Sequence, residues 1–202
     1  MQINPSGRQM MNASFDPFRL VNTYGAFGDV GRARYEPIVS VSSDGLSWTE
    51  IEFPCKPGSL TRRPCFCAPY HYRLDWNIWF LGFPPHGRML QQRERWLYEL
   101  LGKLLNSSTR GENERPWLDL LDSSSVQYLN SKQDTLRYAK VDMYHYEMAA
   151  PLWQILKDYY YYYYYYYLER REEPVVWWTR SYHEPLIPPV AWDSTTNGLT
   201  RI

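Results

Sequence analysis

Apolar and polar positions change period several times along this chain, and each change predicts an element. Residues 34–42 and 48–53 are β-prone runs separated by Ser43-Asp44-Gly45-Leu46-Ser47, and Asp-Gly between such runs predicts a hairpin. In the second run Ile51 and Phe53 face one way and Glu50 and Glu52 the other, as in a sheet with one exposed face. Pro37 lacks an N–H and predicts an edge or a bulge there. Over residues 75–80 the run is too short for its period to separate a buried strand from the start of a helix. Pro84-Pro85-His86-Gly87 then breaks the chain.

The clearest helix follows at residues 93–106, where Trp96, Leu97, Leu100, Leu101, Leu104 and Leu105 make one apolar stripe suited to a core. A polar loop over 107–115 leads to a short helix at 117–121. Residues 135–146 alternate Leu136, Tyr138, Lys140, Asp142, Tyr144 and Tyr146 against Ala139, Val141 and Met143, which predicts a strand. Beyond Glu173, Val175-Val176-Trp177-Trp178 and the prolines from Pro185 to Pro189 suit a segment that wraps the surface. The sum is a single α+β domain on an antiparallel sheet, open to being a β-sandwich, with helices on one side. Its expected limits are a polar lead-in at 1–18, the domain at 19–190 and a tail at 191–202.

Nine consecutive tyrosines at 159–167 interrupt this order. A homopolymer presents the same residue on every face, so it has neither period and reads as a repeat expansion in a tolerant connection. Its flanks are acceptable helix formers, which would allow a continuous exposed helix, and tyrosine's β preference makes an unpaired tract prone to aggregate. No function attaches to it.

At 202 residues the chain is long enough for one domain with a core, and 17% aromatic content shifts that core toward Trp and Tyr. Formal net charge is zero, which removes the electrostatic footprint of a nucleic-acid binder. No run reaches the roughly 18 apolar residues of a membrane helix, and the polar first fifteen residues have no signal-peptide core.

Residues 20–80 hold the densest mixture of charged and aromatic side chains, so charge must be satisfied beside large apolar groups. The ordered words NTYGAFG (with Tyr24, Gly25, Phe27 and Gly28), RxRYE, DGxxWxEIEF, CKPG, RRPC and PYHYRLDWNIWF (with His71, Arg73, Asp75 and Trp76) resemble the lipase maturation factor family. The resemblance spans residues 12–189, the tyrosine tract being its one large departure. It implies the lumenal part of an endoplasmic reticulum membrane protein whose spanning helices lie outside this chain, either as a fragment or as a soluble paralogue. It further implies binding without turnover or cofactor, with secreted, lipoprotein-lipase-like enzymes as clients whose folding and assembly are assisted.

Cys55, Cys65 and Cys67 have three readings: reduced thiols, a metal site lacking a fourth ligand, and a Cys55–Cys65 disulfide closing the Lys56-Pro57-Gly58 turn. The last is favoured, since both positions match cysteines of the family pattern, and it implies an oxidising compartment. Sequons at Asn12 and Asn106 are compatible with a lumenal location and make both glycosylation candidates.

For chemistry, His71, Arg73 and Asp75 supply an acid–base group and a carboxylate but no convincing nucleophile. A buried Arg–Asp pair bracing a loop against tryptophans accounts for them without catalysis. Arg62 and Arg63 either meet an anionic partner or pin carboxylates within the domain, and Trp177 and Trp178 either pack or face a client. The rival functions are a lumenal enzyme using His71 and Asp75, and a carbohydrate- or lipid-binding β-sandwich; no metal site is expected.

Overall fold

The computed structural model describes residues 33–66, 70–83, 95–106, 115–132, 135–150, 175–193, 195, 196 and 198–202, with helical positions 154, 156, 157 and 160. The NTYGAFG word, including Tyr24, Gly25, Phe27 and Gly28, lies outside the described residues, as do the lead-in, Asn12 and Cys67. So does the tyrosine tract apart from Tyr160, which is helical and exposed.

The expected hairpin forms. Strands β1 (Arg34–Ser42) and β2 (Thr49–Glu50) pair antiparallel at Ser40–Glu50 and Val41–Thr49. Between them Gly45 adopts φ 77°, the left-handed region that favours glycine. The Asp44 carboxylate accepts the Leu46 and Ser47 N–H groups at 2.8 Å each, and these bonds hold its pKa down to about 2. Because β2 reaches only Ser40 and Val41, β1 is open on that side at Pro37, where its missing N–H costs no ladder bond.

The other strands among the described residues are β3 (Tyr138–Met148), β4 (Trp178–Asp193) and β5 (Gly198–Arg201), giving one antiparallel sheet in the order β2-β1-β3-β4-β5. The α+β class is as expected, while the second layer of a sandwich is absent among the described residues. The surface-wrapping reading of the C-terminal region is corrected: β4 is the longest strand, and ladder bonds absorb its backbone. Its prolines misled, yet irregular register along the β3–β4 pair makes room for Pro185 within the ladder. Trp192, in the stretch expected as a tail, packs so closely on the helix at Gly102 that a Cβ there would lie 3.0 Å from its ring.

Residues opposite in register share a face. Val39 and Val41 with Val141 and Ala139 form the apolar face, whereas Arg34, Glu36 and Ile38 with Tyr146, Tyr144 and Asp142 form a mixed one. The apolar face carries the main core, joined by Ile51 and Phe53 from the hairpin. Helix α1 (Arg73–Phe80) resolves the ambiguous run as helix, and its end closes on β1 so tightly that a Cβ on Gly82 would collide with the Tyr35 carbonyl. Helix α2 (Arg95–Leu105) buries the predicted stripe completely at Leu97, Leu101 and Leu104.

The short helix is a 3₁₀ turn at Pro116–Leu120. Helix α3 (Ser123–Ser131) was not anticipated, although Asp122 caps it by accepting the Ser124 N–H at 3.0 Å. Replacing Leu104 by Ala should cost about 2–5 kcal/mol of stability in urea unfolding, whereas Leu46→Ala, 86% exposed, should fall within about 0.5 kcal/mol of the parent.

Candidate functional site

The loop between Phe53 and Cys65 sits at the centre of the polar architecture. Cys55 and Cys65 form a disulfide with Cα atoms 5.2 Å apart, so the loop is closed at its base. Asp75, in the first turn of α1, reaches it from the side: its Oδ2 accepts the Cys55 N–H at 2.7 Å and the Lys56 N–H at 2.8 Å. Burial pushes the Asp75 carboxyl above its ordinary value of 3.8, against the lowering by these hydrogen bonds and by the Lys56 charge. Lys56 then turns inward, its ammonium 3.2 Å from Glu36 Oε2 and donating to the Pro57 carbonyl at 3.1 Å. Glu36 is fully buried and also accepts from Arg34 Nε at 2.7 Å.

The far side of the loop is tied to the sheet. Gly58 offers its carbonyl to the Tyr146 hydroxyl at 2.7 Å, and Leu60 offers its own to the Trp177 and Trp178 N–H groups at 2.9 and 3.1 Å. Tyr146 also receives a hydrogen bond from Arg180 at 3.1 Å, while Arg180 grips Glu50 bidentately at 2.6 and 2.8 Å. Desolvation raises the Tyr146 pKa to about 12, so the hydroxyl stays a donor.

Arg62 pins two carboxylates, Asp122 at 3.0 Å and Glu52 at 3.4 Å, donates to the Phe53 carbonyl and offers its own carbonyl to Trp178 Nε1 at 2.8 Å. Of its two readings, internal pinning is what this geometry displays. Trp177 and Trp178 are 3% and 6% exposed and pack with Ile38 and Tyr146, so their bulk belongs to a small second core.

Between the loop and α1 lies a cleft of about 330 Å³. Trp76, Trp79 and Trp178 line it, as do the exposed Arg34, Arg63 and His71. The wall is a packed aromatic series: His71 lies 4.7 Å from Trp76, and Trp76 lies 5.2 Å from both Trp79 and Phe80.

The anticipated Arg–Asp brace is corrected. Arg73 is exposed, and Asp75 braces the loop through backbone amides. His71 and Asp75 do share a cleft; Asp75 Oδ2 is engaged with the loop, while its Oδ1 is buried without a hydrogen-bond partner among the described residues. Asn106 directly follows α2, half buried, with its N–H on the Gly102 carbonyl at 2.8 Å. Among the described residues no cluster of His, Cys, Asp or Glu is arranged to hold a metal, and no helix is long and apolar enough to cross a membrane.

The sequence reading missed Glu36, Lys56 and the Arg180–Glu50 pair. A glutamate inside an apolar run was the available signal for the first, since only a paired charge is tolerated there.

Because the folded Asp75 carboxyl titrates above 3.8, the folded state binds more protons than the unfolded one between 3.8 and its raised value. Stability from this group therefore falls as pH rises through that window. Urea unfolding at successive pH values should show the parent losing stability relative to Asp75→Asn on going upward through the window; a flat difference would contradict the assignment.

Residues 20–157 match the lipase maturation factor C-terminal domain. The chain is 38% identical over 152 residues to lipase maturation factor 1 of Bos taurus, covering 72% of this chain and 24% of that protein. Its identity to the Mus musculus counterpart is 46% over 106 residues, covering 50% and 18%. To lipase maturation factor 2 of Homo sapiens it is 31% over 148 residues, covering 72% and 19%. The chain thus spans about a quarter or less of the length of these relatives. No solved structure matches it.

Proposed function

This chain belongs to the lipase maturation factor family, and on that premise we propose that it assists the folding and assembly of secreted lipases in the endoplasmic reticulum by binding them. Its clients are lipoprotein-lipase-like enzymes, and its link to the membrane runs through segments outside this chain. The observation that carries the binding reading is the cleft beside α1, lined by Trp76, Trp79 and Trp178, with Asp75 Oδ2 spent on two loop amides. The same contact shapes an aromatic-walled cleft, a feature suited to holding a partner's side chains.

A disulfide-closed loop fits the oxidising lumen. Arg62, Trp177 and Trp178, expected from sequence as client contacts, serve the site by holding the loop in place, while Arg63 and the edge of Trp178 line the cleft itself.

The test is to direct the chain to the endoplasmic reticulum of cells deprived of their own lipase maturation factors, together with a lipoprotein-lipase-like client. Client should co-purify with the chain, and secreted lipase activity should rise in step with the ratio of chain to client. Absence of both effects contradicts the function. Full rescue at a small fraction of the client's amount, with nothing captured, would instead favour an enzyme.

A further inference from the structure

The cleft holds charges of both signs, but they are not equally exposed. Its carboxylates are Glu36, fully buried and paired with Arg34 and Lys56, and Asp75, 7% exposed, whose Oδ2 is engaged with the loop and whose Oδ1 is buried without a hydrogen-bond partner among the described residues. Lys56 is sealed in with them, its side chain 3% exposed. At the opening the order reverses. Arg34 keeps 44% of its side chain exposed, fixed by Nε on Glu36 and by its guanidinium lying 5.7 Å from the Trp178 ring centre. Arg63, also exposed, lines the same cleft. A ligand arriving from solvent therefore meets positive groups first, over apolar walls.

Exposed aromatic residues adjoin the lining along the chain. Phe66 follows the lining residue Cys65 and is 90% exposed; Tyr70 precedes the lining residue His71 and is 85% exposed; Tyr72, itself lining, is 52% exposed. Large exposed aromatics grouped about a concavity are a mark of partner contact. A small anion inside the cleft would leave Phe66 and Tyr70 uncovered, whereas a peptide crossing the opening would cover them. At about 330 Å³ the space suits one or two side chains.

We propose that this cleft is the docking site for a partner segment that inserts an acidic side chain toward Arg34 and Arg63 and lays flanking apolar residues on Phe66, Tyr70 and Tyr72. The inference deepens the client-binding reading above and rests on it for the identity of the partner as a protein. The buried Glu36 serves it by orienting the Arg34 guanidinium before the partner arrives, which lowers the ordering cost of a charge-assisted contact. Attraction at the opening also makes association sensitive to salt.

Fluorescence anisotropy with the full chain tests it, using a labelled peptide that alternates Glu with Phe and Leu, its Gln-for-Glu counterpart, and a labelled high-mannose oligosaccharide. The acidic peptide should bind, and the Gln counterpart should bind roughly tenfold more weakly, as should the acidic peptide to Arg34→Gln. Phe66→Ser and Tyr70→Ser, at positions too exposed to support the fold, should each weaken it by roughly threefold at unchanged melting temperature. Should Arg34→Gln fail to fold, Arg63→Gln and the two aromatic variants decide. Equal binding of acidic and neutral peptides, indifference to these substitutions, or binding of the oligosaccharide in place of the peptide would overturn the proposal. Lipase capture separates the two levels. Client retained by the chain but not displaced by the acidic peptide sinks the cleft assignment alone, whereas peptide binding without any captured lipase sinks the function and leaves the site.

Discussion

The polar face of the structure, and the cleft on it, depend on the Asp75 carboxylate taking the N–H groups of Cys55 and Lys56. A loop with two prolines and a glycine between its cysteines has little regular hydrogen bonding of its own, so its backbone donors need an outside acceptor. Asp75 is that acceptor, carried on a helix whose Ile78 is rooted in the main core. Its burial raises the cost of the charged form, which the two amides and Lys56 offset only in part. Losing the carboxylate would leave two donors unsatisfied, at roughly 1–3 kcal/mol for each.

From that anchor the loop spreads constraint outward. The disulfide fixes its base, Lys56 reaches the buried Glu36 of β1, and Gly58 and Leu60 fasten it to β3 and to the start of β4. Arg62 completes the ring by joining it to the cap of α3 through Asp122. The main core packs on the other face of the sheet, and the loop is fastened to the mixed face. There the buried charges hold Arg34 and Trp178 in one geometry, and the cleft is the space left between them and α1. Scaffold and site are therefore built from the same contacts.

Much of this was legible in the sequence where a local rule dominates. The hairpin followed from Asp44-Gly45, and helix α2 from a stripe of leucines with one period. Legibility failed where meaning depends on distant partners. The prolines of β4 read as breakers because nothing local discloses an irregular ladder with β3. Glu36 and Lys56 are separated by a hairpin, and their pairing becomes visible only once β1 and the disulfide loop are side by side. Residues 71–76 were singled out for the right reason, a charge that must be satisfied beside tryptophans. The partner was misassigned: periodicity cannot show that a carboxylate will choose backbone amides of another segment over a neighbouring arginine.

Function enters this picture as a use of the braced loop. The client-binding role proposed above requires a surface shaped before the client arrives and stable while that client is still changing. A loop held by a disulfide at its base, a carboxylate at its side and hydrogen bonds to the sheet meets that need. Native-state hydrogen exchange on the parent and on Asp75→Ala tests this most directly. The account predicts loss of protection at the Cys55 and Lys56 amides that spreads to the Trp177 and Trp178 amides bonded to Leu60, while helix α2 keeps its protection. Confinement of the loss to residues 55 and 56, or no loss at all, would contradict the claim that this one carboxylate organises the site.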